Sequence, residues 1–167
     1  MAEEKEIILT STGMRALKEG LEYLKTTKRS EITEKIKVAR GFGDLSENAE
    51  YDEAKNEQAE VENKINQLMN ILKYARTISD DEIEDGVVCI GNTAEIVEVG
   101  EEEIEKYSFV SADEIEMYAL LKSDMAELLS ANSPVGKALM GHKAGETVSV
   151  TTPVCTLDFE IKKVYKY

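Results

Sequence analysis

Two carboxylates, Asp44 and Glu47, stand three residues apart just after the glycines Gly41 and Gly43. At a helix start this spacing makes a capping box, with Asp at the N-cap, Glu at N3, and each side chain satisfying a backbone N–H. Negative charge there also suits the helix dipole. The same groups are hard oxygen ligands of the kind Mg²⁺ takes, usually one or two carboxylates completed by water and phosphate. Two carboxylates cannot close a cage, so a metal held here would draw its other ligands from another macromolecule. Residue type and spacing leave capping and metal binding both open. Arg40 precedes the pair and Lys55 follows it, with Lys35 and Lys37 further back. These cations suit phosphate contacts or a solvated helix face. The nearby aromatics, Phe42 and Tyr51, can close a turn or stack on a base.

Little else in the chain offers chemistry. His142 is the only histidine, which excludes a site built on several histidines. Cys89 and Cys155 lack a CxxC or Cys/His companion and read as reduced thiols without zinc.

The acid pair needs elements to carry it, and the apolar spacing supplies them. From Thr12 to about Arg40 the spacing is helical: Leu17, Leu21 and Leu24, then Ile32, Ile36 and Ala39. Ser11 or Thr12 can cap the start. The interval from Leu24 to Ile32 leaves Lys28 on the apolar seam, where its stem can cover apolar surface. Ala54, Gln58, Val61, Ile65, Leu68, Leu72 and Ala75 follow a 4-3 spacing, an a/d seam over three heptads. Each stretch is about 29 residues, or roughly 43 Å as a helix. Gly41 and Gly43 break the chain where the two lengths match, which predicts an antiparallel hairpin over residues 1–78. A parallel dimer is the rival arrangement for the same stripes.

Residues 79–86 form an acidic segment ending in Gly86, the expected linker. Beyond it the period changes to two, which defines a second domain over 87–167. Val87–Ile90, Ala94–Val99 and Tyr107–Val110 read as strands, as do the stretches around Val148/Val150 and Leu157/Phe159/Ile161. Ser133 as N-cap, Pro134 at the first helical position and Gly141 past the end mark a short helix. Ile115, Tyr118, Leu121, Met125 and Leu128 keep helical spacing, which predicts a helix over 114–129. The fold class is α+β: a coiled-coil hairpin followed by a small antiparallel sheet with a short helix.

The run Gly43-Asp44-Leu45-Ser46-Glu47-Asn48-Ala49-Glu50-Tyr51 resembles the tip motif of the Gre factors, bacterial transcription elongation proteins. Ser133-Pro134-Val135-Gly136-Lys137-Ala138-Leu139-Met140-Gly141 resembles the C-terminal signature of that family. Leu9-Thr10, Gly13, Leu17, Leu21 and Leu24 match its first helix. The resemblance implies a C-terminal domain similar to the FK506-binding-protein fold, docking through Ser133, Pro134 and Gly136 at the secondary channel of RNA polymerase. It implies a hairpin reaching the polymerase active centre, where Asp44 and Glu47 share a Mg²⁺ that this chain does not bind stably alone. Arg40 and Lys55 would lie where displaced nascent RNA passes. The protein would assist hydrolysis by the polymerase and not be an enzyme itself. Two departures stand out. The segment between Val110 and Ser133 is about six residues longer than the family's usual length, and Pro153-Val154-Cys155 stands where glycines are common.

An inhibitory Gre homologue, occupying the same channel without stimulating cleavage, is the alternative that Asp44-Leu45-Ser46-Glu47-Asn48 argues against. A prolyl isomerase would need aromatic walls, and this half has no Trp and only Phe109 and Phe159. A coiled-coil adapter without metal chemistry is the third rival. The net charge of −14 is unevenly placed: residues 79–167 hold 19 acids and 7 bases, residues 1–78 hold 15 and 13. A nucleic-acid role therefore has to run through the N-terminal half or a protein partner. No apolar run reaches the roughly 20 residues a membrane span needs. The N-terminus lacks the apolar core of a signal peptide. A cytoplasmic, monomeric protein is expected.

Overall fold

The computed structural model describes residues 5–41 and 45–167, with the side chains of 45–48 outside the description. It comprises two compact units, Arg15–Tyr74 and the combination of Met1–Met14 with Ala75–Tyr167.

The first unit is a helical hairpin. Its ascending arm runs through α1 (Ser11–Tyr23), a π-helical turn (Leu24–Lys28) and α2 (Arg29–Gly41); α3 (Leu45–Tyr74) returns. The π turn falls in the long interval between Leu24 and Ile32. Its extra residue per turn re-phases the apolar stripe, so that Leu17 and Leu21 before it and Ile32, Ile36 and Ala39 after it are all buried. Lys28 is half-buried, its ammonium 3.0 Å from Glu57. On α3 the buried row is Ala54, Val61, Ile65, Leu68 and Ile71. Sequence spacing assigned the last places to Leu72 and Ala75. The stripe instead takes Ile71, with Leu72 half-buried beside it, and Ala75 begins a strand. Arg29 grips Glu62 with two hydrogen bonds, 2.7 and 2.9 Å, and Lys35 pairs with Glu57 at 2.9 Å. Partners on α3 fall in number as those on α2 rise, the antiparallel register of a hairpin closed within one chain.

In the second unit β1 (Ile7–Leu9) pairs in parallel with β2 (Ala75–Thr77), a contact between chain segments that no local pattern announced. The main sheet has the order β5-β4-β3-β7-β6. Its strands are β3 (Asn92–Glu98), β4 (Ile104–Val110), β5 (Leu128–Ser130), β6 (Thr147–Thr151) and β7 (Thr156–Lys166). All neighbours are antiparallel except β4 and β5. Ala94, Ile96, Phe109, Val148, Val150, Phe159 and Ile161 fill its core with Leu139 of α5 (Pro134–Leu139). Phe109 and Phe159, the phenylalanines of this half, both lie in the core.

Three further expectations from sequence give way to the structure. Val87–Ile90 is not a strand: only Val87 makes a bridge, to Lys143, while Val88 is buried as a plug in the core. The helix expected over 114–129 is α4 (Ala112–Leu120), and the longer segment continues through a turn at Lys122, φ 53°, into β5. It buries Glu114, Met117 and Tyr118, a stripe that Ile115 and Leu121 do not share. Thr10, not Ser11 or Thr12, caps α1: its carbonyl accepts from Met14 N at 2.9 Å and its hydroxyl from Gly13 N at 3.1 Å.

The acidic segment after β2 is fastened down. Glu82 takes two hydrogen bonds of 2.7 Å from Arg76, which also reaches Glu6 at 2.6 Å. Asn92, buried, donates to the carbonyls of Glu84 and Val87, both at 2.8 Å. Ile83 lies so close over Gly91, φ +97°, that a Cβ there would overlap it.

Candidate functional site

Phe42, Gly43 and Asp44 lie outside the described residues. Glu47 falls in the first turn of α3, its side chain undescribed. The capping and metal readings of the acid pair therefore concern atoms beyond the description. What the structure does place is the base of the tip. α2 ends at Gly41 and α3 begins at Leu45, so Glu47 belongs to the returning arm of the hairpin. The two carboxylates form a donor set that fits Mg²⁺ in part only, two oxygen-bearing groups where a hard cation takes six or more ligands. Among the described residues, no three His, Cys, Asp or Glu side chains converge as a metal site.

Arg40 and Lys55 flank this base. The Arg40 guanidinium lies over the Tyr51 ring, 5.7 Å from its centroid, within the range of a cation–π contact. Lys55 stands one turn beyond Tyr51 on α3 and donates to Gln58 at 3.1 Å. Tyr51 titrates below its ordinary value of 10.0, chiefly through a hydrogen bond from Arg40 and its charge, with a smaller pull from Lys55. Arg40 and Tyr51, on opposite arms of the hairpin, thus meet. Lys35 goes elsewhere: it lines a groove of about 1020 Å³ with Glu31, Glu34, Glu50, Glu53 and Glu57, and Glu57 neutralises it. That groove is anionic and unsuited to nucleic acid.

The other predicted site, Ser133, Pro134 and Gly136, is the start of α5. Ser133 accepts from Gly136 N at 3.0 Å and donates to the Ser130 carbonyl at 2.7 Å. Gly136 is buried against that same carbonyl, which a Cβ would overlap. Only Pro134 of the three is exposed. Capping and close approach therefore account for Ser133 and Gly136 without any partner.

One residue was missed by sequence reading. Glu114, fully buried at N3 of α4, accepts from Thr10 N at 2.8 Å and Thr10 Oγ1 at 2.7 Å. Its own N–H bonds the N-cap hydroxyl of Ser111 at 3.1 Å, and Ser111 donates to the Ile8 carbonyl at 2.7 Å. This is a capping box crossed between two helices, the acid of one serving the N-cap of the other. Gly13 leaves the room: a Cβ there would overlap the Glu114 carboxyl. The only trace in sequence was a Ser111-x-x-Glu114 box, which points to the wrong cap.

Hairpin, tip sequence and sheet domain define a class of protein, and comparison agrees. Residues 7–77 match the model of the GreA/GreB transcription elongation factor N-terminal domain, and residues 83–166 match that of the GreA/GreB C-terminal domain. The chain belongs to the GreA/GreB family of transcription elongation factors. Its similarity runs to individual GreA proteins: 44% identity to transcription elongation factor GreA of Acetivibrio thermocellus, covering 99% of this chain and 100% of the relative. It is 46% identical to GreA of Clostridium perfringens, over 95% of this chain and 96% of that one. The crystal structure of GreA factor homolog 1 of Thermus thermophilus aligns at 26% identity and a TM-score of 0.43, over 96% and 99% of the two chains.

Proposed function

We propose that this elongation factor enters the secondary channel of bacterial RNA polymerase and stimulates the polymerase's own cleavage of backtracked nascent RNA. The observation that supports the reading is the run from Gly43 to Tyr51, with its two carboxylates, in a sequence whose N-terminal match to the family spans both arms of the hairpin. The sheet domain would dock on the polymerase through the exposed face of α5 at Pro134, with Ser133 and Gly136 giving that helix its shape. The hairpin delivers the tip, and Arg40 and Lys55 meet the displaced RNA 3′ end through its phosphates.

Asp44 and Glu47 would hold a Mg²⁺ in common with the polymerase. When bound, that ion supplies charge stabilisation to phosphodiester hydrolysis. The chain's own contribution is to bring two carboxylates to a centre that it does not complete. Hydrolysis then belongs to the polymerase, and this chain is not an enzyme.

The test exploits the isosteric amides. Asn caps a helix about as well as Asp, and Gln replaces Glu in a capping box. Asp44→Asn and Glu47→Gln are therefore expected to change stability by less than about 1 kcal/mol, yet to abolish RNA release from stalled, backtracked complexes. An amide oxygen is a weaker Mg²⁺ ligand, so raised Mg²⁺ should restore part of the activity. Parent-level cleavage by the folded double variant would end this mechanism and leave capping as the role of the pair.

A further inference from the structure

Arg40 is the last basic side chain of α2, exposed, and long enough to sample many rotamers. A guanidinium recruited to bind phosphate gains when something holds it beforehand, because the ordering entropy is then not spent at binding. Tyr51 faces it from the opposite arm, with the ring centroid 5.7 Å from the guanidinium carbon. A tyrosine is suited to such holding, being rigid, with two side-chain torsions, and able to attract a cation through its ring. The guanidinium carbon lies over the ring, and Arg40 lowers the pKa of the Tyr51 phenol. Arg carries five N–H donors, and a contact with a ring leaves donors for bidentate binding of a phosphate. Lys55 lies four residues after Tyr51, on the same helix face, and both cations act on the one phenol. Asp52 opposes them weakly from its own helix.

We propose that Tyr51 is a positioning residue: it holds the Arg40 guanidinium beside Lys55, so that the two cations together receive a backbone phosphate of the displaced RNA strand. The inference rests on the proposed role of Arg40 and Lys55 in RNA contact. It adds that the contact depends on an aromatic across the hairpin.

The experiment uses the full chain with backtracked polymerase complexes and measures both the maximal cleavage rate and the factor concentration giving half of it. Tyr51→Leu removes ring and hydroxyl at a half-buried site and is expected to lower the maximal rate roughly two- to five-fold. The half-saturating concentration should stay at the parent value, which a loss of folded protein would not allow. Tyr51→Phe keeps the ring and should recover most of the rate. In an Arg40→Ala background, Tyr51→Leu should have no additional effect. Full rate in Tyr51→Leu, or losses that multiply in the double variant, would overturn the inference while leaving the cleavage function standing. A parent protein that does not stimulate cleavage would overturn both.

Discussion

Glu114 shows what a single residue decides in this molecule. Burial pushes its carboxyl above the ordinary value of 4.5, against the pull of the two hydrogen bonds from Thr10. Removing it leaves the Thr10 N–H without an acceptor in a closed space. Glu114→Ala is thus expected to cost about 2–4 kcal/mol in chemical denaturation. Glu114→Gln, which keeps an acceptor and the shape, should cost far less. Gly13→Ala should resemble the alanine variant, since its methyl group drives the carboxyl from both bonds. The pH dependence has a definite sign. A folded-state value raised above the unfolded one means that the folded protein binds the proton more tightly. The contribution of Glu114 is complete below about pH 4.5 and is lost as pH rises through its folded value. Stability of the parent relative to Glu114→Gln should fall with rising pH over that window; a rise would show that the hydrogen bonds outweigh burial. Glu82 runs the other way. Arg76 and then Ser79 hold it at about 2, so its contribution is present above 4.5 and lost as pH falls toward that value.

Among the elements, α5 combines a cap and a close approach in six residues. Ser133→Ala should cost about 1 kcal/mol through the lost cap. Asp caps well in general, but here Ser133 also donates to the Ser130 carbonyl, and a carboxylate would face that oxygen. Ser133→Asp is accordingly expected to be less stable than the parent, which makes it a poor probe of docking; exposed Pro134 is the better one. Gly136→Ala sets a methyl group against backbone that cannot swing aside, and should cost about 1–3 kcal/mol. Thermal unfolding of the three variants checks the order, and a harmless Gly136→Ala would show that α5 can slide on the sheet. The hairpin is held differently. Its Arg29–Glu62 ion pair is exposed and so worth at most about 1 kcal/mol, and the buried stripes of the two arms carry its stability.

For the whole molecule, charge placement sets what it can bind. Residues 79–167 carry a net −12, and the groove between α2 and α3 is rimmed by glutamates. Against that field, Arg40 and Lys55 are too few for sequence-independent affinity, which comes from neutralising many phosphates. The protein alone is expected to bind free single-stranded RNA with a dissociation constant weaker than about 10 µM at 0.15 M salt. Tight binding in a fluorescence titration would mean that the hairpin needs no polymerase to meet RNA. No described helix is long and apolar enough to cross a membrane.

Local pattern determined the two helical arms, the position of the reversal, the short helix after Ser133 and most of the sheet, because helical and strand periods are written in neighbouring residues. The nine residues from Gly43 to Tyr51 pointed to the family for the same reason. Tertiary structure alone decided features whose partners lie far apart in the chain. The parallel pairing of β1 with β2 joins residues about 70 apart. Glu114 reaches 104 residues back to cap α1, which moves the cap from Ser11 or Thr12 to Thr10. Val88 is buried in the core without joining a strand, a placement that an apolar run alone does not distinguish from a strand. Helical spacing carried on past Leu120, but the pairing of Leu128–Ser130 with β4 drew that stretch into the sheet. Arg40 and Tyr51 meet only because the hairpin closes, and spacing along one helix cannot show a contact made across two.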